Sequence, residues 1–204
     1  MKNLALIIIF SFLLVSCSSE QKKNEKLTIV TTTNIIANSI HEIVGDKANV
    51  ESLMCANVDP HGYKASPSDI QKLQNADIII HNGLHLEGKM ADIFKKMSNQ
   101  KTVLAVADGM DENAYRRIDE DNAYDPHVWF DVKLWSTGIE YIGKEIVKFD
   151  TLNSSFYQKN ITDFTKKLTN LDLQIKENLL KISESQRVLT VSYTHLTLPT
   201  TPYV

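Results

Sequence analysis

The sequence is poor in the residues that mark several protein classes. Its 204 residues include 7 Gly and 5 Pro, too few for an all-β chain built on many tight turns. Two cysteines allow at most one disulfide, which excludes a disulfide scaffold. The formal net charge is −3, so there is no basic excess of the kind a nucleic-acid binder needs. No apolar run reaches the about 20 residues of a spanning helix. His-Glu-x-x-His, Gly-x-Ser-x-Gly and phosphate-loop motifs are all absent. After Arg187 there is no formally charged residue, in a chain that is 23% charged. What is present is an ordinary globular composition, 43% hydrophobic, with length for one large domain or two small ones.

The N-terminus reads as an address. Lys2 precedes the apolar stretch Leu4–Val15, which has the length of a signal h-region. The stretch ends in Leu14-Val15-Ser16-Cys17, which resembles a bacterial lipobox whose cysteine is lipidated and becomes the first mature residue. A plain secretory signal with an incidental Cys is the other reading. Small Ser16 and the polar segment 18–26 that follows favour the lipoprotein. The expected divisions are a signal peptide at 1–16 and a lipidated tether at 17–26, leaving Cys55 as the one other cysteine.

From Leu27 onward, short apolar strands alternate with helices. Strands are expected at Leu27–Thr33, Ala48–Met54, Asp77–His81 and Thr102–Ala107. Helices are expected from Asn34, as cap, to Val44, from a start at Ser66-Pro67-Ser68-Asp69, and over Leu86–Met97. This alternation implies an α/β fold with a parallel sheet covered by helices on both faces. Residues 108–124 form an acidic loop without histidine. Asp131 opens a helix to about Phe149. Asn153–Ser183 follows as one long helix of about 45 Å, longer than one small domain needs. It either lies along one lobe or links two. Arg187-Val188-Leu189 reads as the start of another strand, which favours a link.

Two tripeptides carry the candidate chemistry, Asp59-Pro60-His61 and Asp125-Pro126-His127. Each follows a strand, and loops at the carboxyl ends of parallel strands are where such sheets bind ligands. Proline restricts the backbone before each histidine, and the neighbouring Asp59 or Asp125 can accept the other imidazole N–H and set its tautomer. From spacing alone two readings stand: metal ligation by His61 and His127, or two loop histidines with Asx turns. His81, His85 and Cys55 are lesser candidates, the histidines as cleft lining and the cysteine as a buried thiol. Trp129, Phe130 and Trp135 are expected at a lobe interface. With no general base set apart from these tripeptides, the pattern reads as a binding protein and not as an enzyme.

At these residues the sequence resembles the metal-binding solute receptors of bacterial ABC importers, the zinc and manganese receptor family. The resemblance runs from Leu27 to Leu189. It includes Val30-Thr31-Thr32-Thr33, Ser52-Leu53-Met54, Val58-Asp59-Pro60-His61, Tyr63-Lys64, Pro67-Ser68-Asp69, Ala76-Asp77, Asn82-Gly83-Leu84-His85-Leu86-Glu87 and Asp125-Pro126-His127-Val128-Trp129. It implies that His61 and His127 are metal ligands. It also implies two α/β lobes joined by a rigid helix, with the metal between them. The implied division is a metal-binding lobe at 27–150, a linking helix at 151–186 and the first strand of a largely missing second lobe at 187–191. The implied ligand is Zn²⁺, Mn²⁺ or Fe²⁺, and the implied partner is a membrane permease. The protein is expected to act as a lipid-anchored extracytoplasmic monomer; a surface adhesin on the same scaffold is the alternative. Ligation by neutral imidazole implies that affinity falls as pH drops through about 6.5. The chain departs from the family at Cys55-Ala56-Asn57, where relatives have a Gly-Pro-Gly-like turn. It departs again after Leu189: Tyr193 stands about where a third ligand belongs, and His195 is two places off. Residues 192–204 resemble translated sequencing adapter, so that role is not carried to His195.

Overall fold

In the computed structural model, residues 26–118 and 123–187 are described. Strands β1 (Leu27–Thr31), β2 (Ala48–Ser52), β3 (Ile78–His81) and β4 (Thr102–Ala105) form a wholly parallel sheet in the order β2-β1-β3-β4. The expected strands are therefore present, each shorter at one or both ends. Helices α1 (Asn34–Val44), α2 (Pro67–Asn75) and α3 (Ala91–Met97) make the crossovers.

Alternation along the strands divides the core in two. Ile29, Ile78 and Ile80 face one side, where they pack with Ile36, Ile40 and Ile43 of α1. Val30 and Ile79 face the other, against Leu73 of α2 and Phe94 of α3. Ile29–Thr31 of β1 and Ile78–Ile80 of β3 are nonetheless buried at consecutive positions, as a two-sided sheet requires. The switch point lies between β1 and β3, because the chain leaves β1 toward one edge and β3 toward the other. A crevice opens at the carboxyl ends of such strands.

The helix ends follow local chemistry. At α2, Ser66 accepts the Asp69 N–H at 3.3 Å and Asp69 Oδ2 accepts the Ser66 N–H at 2.8 Å, a capping box with Pro67 in the first turn. Asn34 is not the cap of α1. It lies inside the helix, and the cap position belongs to Thr33, whose side chain makes no capping bond. Leu86–Met97 is not one helix: a 3₁₀ turn, Gly88–Met90, precedes α3. The acidic loop holds a two-residue hairpin, β5 (Arg117–Ile118) against β6 (Ala123–Tyr124), which hydropathy did not reveal.

Helix α4 (Val132–Phe149) starts where expected, with Asp131 Oδ1 accepting the Leu134 N–H at 2.8 Å. Helix α5 (Ser154–Leu180) has 27 residues, about 40 Å of rise. Its root is fastened to the sheet domain. Tyr157 is fully buried and donates to Asp150 Oδ2 at 2.7 Å, while Asn160 Nδ2–H donates to the Ile43 carbonyl at 2.9 Å. Lys167 pairs with Glu42 of α1. Beyond Leu168 the same stripe continues through Leu171, Ile175 and Leu179 but is 39–46% exposed.

Trp135 belongs to the core of this domain and not to an interface, its indole N–H donating to Ser39 Oγ at 3.2 Å. Phe130 is exposed and Trp129 half-buried. Arg187 is not in a strand: it follows the 3₁₀ turn Glu184–Gln186, and Nε–H donates to the Ile182 carbonyl. The signal peptide, Cys17 with most of its tether, and the expected strand and tail beyond Arg187 lie outside the described residues. Among the described residues no helix is long and apolar enough to cross a membrane.

Candidate metal site

The two Asp-Pro-His tripeptides meet. His61 lies in the loop after β2 and His127 in the loop after β4, 66 residues apart, yet their Nε2 atoms are 3.2 Å from each other. The rings meet edge to face, with centroids 5.2 Å apart and planes at 65°. The chain leaves β2 and β4 at the same, carboxyl edge of the parallel sheet, which is why these segments can meet there.

Asp125 fixes the chemistry of His127. Its Oδ1 lies 2.6 Å from His127 Nδ1 and also accepts the His127 backbone N–H at 3.0 Å. Burial pushes the Asp125 carboxyl up, but the hydrogen bonds from His127 outweigh it and hold the carboxyl below its ordinary value. A carboxylate there takes the Nδ1 hydrogen, so Nε2 presents a lone pair to His61. At 3.2 Å the two nitrogens are within hydrogen-bonding distance, His61 Nε2–H donating to that lone pair in the tautomer that carries its hydrogen there. Two nitrogens each about 2.0–2.1 Å from one tetrahedral Zn²⁺ stand about 3.3–3.4 Å apart. The observed 3.2 Å is close to that separation. Asp59 closes the matching turn, its Oδ1 accepting the His61 backbone N–H at 2.9 Å.

The other candidates fall elsewhere. His81 stacks on Phe94 with centroids 4.4 Å apart, and burial pushes its pKa down to about 4. It is a neutral packing residue. His85 is exposed. Cys55 is also exposed, contrary to the buried thiol expected, because the loop that carries it lies outside the core. Among the described residues no group of three or more His, Cys, Asp or Glu side chains could hold a metal.

Sequence reasoning missed the floor of the site. Glu87 is buried at the end of the loop after β3, and Oε1 accepts the Thr32 hydroxyl at 2.6 Å and the Asn82 N–H at 2.9 Å. Burial pushes its carboxyl up despite these bonds. The signal was present, since Asn82 and Glu87 close one of the stretches that carried the family resemblance. Nothing local disclosed what they touch.

A family model described as "ZnuA: Zinc-uptake complex component A periplasmic" matches residues 29–197. The manganese-binding lipoprotein MntA of Bacillus subtilis is 34% identical over 93% of this chain and 63% of its own length. The iron ABC transporter substrate-binding lipoprotein MtsA of Streptococcus pyogenes is 35% identical over 89% of this chain and 61% of its own. The structure of the periplasmic zinc-binding protein TroA of Treponema pallidum superposes with a TM-score of 0.78 at 33% identity, over 80% of this chain and 59% of that one. The chain thus spans about 60% of the length of the relatives it matches. A family match across most of the chain, with close superposition on TroA, places the protein in the ZnuA family of periplasmic metal-binding receptors.

Proposed function

We propose that this chain is the metal-capturing part of an extracytoplasmic, lipid-anchored receptor that delivers a divalent transition metal to a membrane permease. His61 and His127 are its two histidine ligands, and Cys17 carries the lipid. The observation that supports this reading is the convergence of the two Nε2 atoms at 3.2 Å from separate loops. A receptor needs donors and release but no bond making. The relatives named above bind manganese, iron and zinc, so the metal is Zn²⁺, Mn²⁺ or Fe²⁺. The exposed stripe on the outer half of α5 fits a linking helix that seats a second lobe, from which further ligands come.

The test is calorimetry with Zn²⁺ and Mn²⁺ on the wild type and on the His61→Ala, His127→Ala double variant. The double variant is expected to lose specific binding at this site. Unchanged affinity for both metals overturns the reading and leaves the adhesin alternative.

A further inference from the structure

Three costly features coincide at the carboxyl end of β3. Gly83, Leu84 and His85 all have positive φ, at 88°, 51° and 61°. Glycine accepts that conformation freely, but Leu84 and His85 do not. Gly83 also has no room for a side chain, because a Cβ there would stand 2.9 Å from the Cβ of Ala107. This left-handed turn folds the chain back so that Glu87, a buried carboxylate, lies against the Asn82 backbone. Asn82 is itself fully buried, and its Oδ1 has no hydrogen-bond partner. Strain, a buried acid and an unsatisfied amide oxygen in one place are a local expense that packing alone does not explain.

The Asn82 side chain shows where that expense goes. Its Nδ2 donates to the Gly83 carbonyl at 3.1 Å and to the Pro126 carbonyl at 2.9 Å. Two carbonyls facing one end of the amide fix its orientation, since the flipped amide would set oxygen against oxygen. Pro126 is buried and immediately precedes His127. The Asn82 carbonyl meanwhile accepts the Ala107 N–H at 3.0 Å, which ties the same residue to the chain leaving β4.

We propose that Asn82, braced by Glu87, is a positioning residue for metal capture: its amide clamp on the Pro126 carbonyl sets where His127 stands relative to His61. The tripeptide 125–127 is internally rigid through Asp125, so it moves as a unit, and the clamp fixes that unit to the sheet. This rests on the functional reading above for its purpose, but the geometry can be tested without metal.

The experiment uses ¹⁵N-labelled chain as wild type, Asn82→Ala, Glu87→Gln and Glu87→Ala. The metal-free readout is the NOE between the His61 and His127 rings, with the His127 ring ¹⁵N shifts. The second readout is Zn²⁺ affinity from a titration of the same resonances. Asn82→Ala is expected to abolish the cross-ring NOE and to weaken Zn²⁺ binding roughly three- to tenfold, the range set by one buried hydrogen bond. Glu87→Gln keeps an acceptor for Thr32 and Asn82 and is expected to behave as wild type. If Asn82→Ala does not fold, Asn82→Ser, too short to reach Pro126, carries the same expectation. A variant that melts earlier but keeps the NOE and the Zn²⁺ affinity overturns the proposal, because Asn82 is then only structural. A folded Glu87→Ala variant, which lacks the acceptor, overturns the bracing role if it keeps the NOE. If the wild-type histidines do not respond to Zn²⁺, the metal reading fails, and the metal-free NOE still decides the clamp.

Discussion

The two Asp-Pro-His loops share a tripeptide and a turn but not a setting. In the first, residues 55–59, 61 and 62 are all exposed, and Asp59 holds only the backbone turn among the bonds described. In the second, Pro126 and Val128 are buried, Asp125 holds both the ring and the backbone of His127, and the His127 ring lies 5.3 Å from that of Trp129. One histidine is preset by its own aspartate and the other stands on an exposed rim. An identical motif is thus buried and doubly bonded in one place and exposed in another, because the two loops lie over different ground.

The largest expected difference is between the two aspartates. Asp125→Ala removes the partner that sets the His127 tautomer and is expected to weaken Zn²⁺ binding about 10- to 100-fold. Asp59→Ala loses a backbone turn bond and is expected to weaken it no more than about fivefold. Calorimetry on both variants checks this, and equal losses would erase the distinction between the loops.

Stability should separate the loops next. Glu87→Ala strips the buried acceptor from Thr32 and Asn82 below the second loop and is expected to cost about 2–4 kcal/mol in denaturant unfolding. Asn57→Gly in the first loop, where φ is already 67°, is expected to change stability by less than about 0.5 kcal/mol. A first-loop change as costly as the Glu87 one would remove that contrast between the loops.

A smaller effect is expected from acid. His81 lies 3.9 Å from Glu87 and has its pKa pushed down to about 4 by burial. As pH falls below about 6.5 the unfolded chain takes this proton first, so stability is lost from about 6.5 down to about 4 and no further below. The loss from His81 alone is at most about 3 kcal/mol. Glu87, pushed up by burial, works in the opposite sense, so the quantity to read is the difference between the wild type and His81→Gln in denaturant midpoints from pH 7 to 4. Parallel curves would remove His81 from the account.

Much of this was legible before the fold was known. The apolar strands and the capping residues at Ser66 and Asp131 are local signals, and local signals survive packing. The meeting of His61 and His127 followed from topology, since loops after parallel strands share an edge. The clamp did not follow, because Asn82 and Pro126 are 44 residues apart and an amide–carbonyl contact leaves no periodicity. The left-handed turn was equally silent, as Leu84 and His85 are not residues that announce positive φ. Trp135 was misplaced because its neighbours in sequence belong to the site, whereas its indole answers to Ser39, 96 residues away.

Among the described residues, helix α5 is packed at its root and exposed along its outer half, so it works as a cantilever. From Leu168 to Leu180 the free arm is about 18 Å. A tilt of about 5° at the root moves its tip by about 1.6 Å, nearly the length of a covalent bond. The Lys167–Glu42 ion pair beside Leu168, backed by the Tyr157–Asp150 and Asn160–Ile43 hydrogen bonds, therefore holds the root on which this arm turns. Small errors there are magnified, and the accuracy with which anything seated on the outer stripe meets His61 and His127 is set at that root.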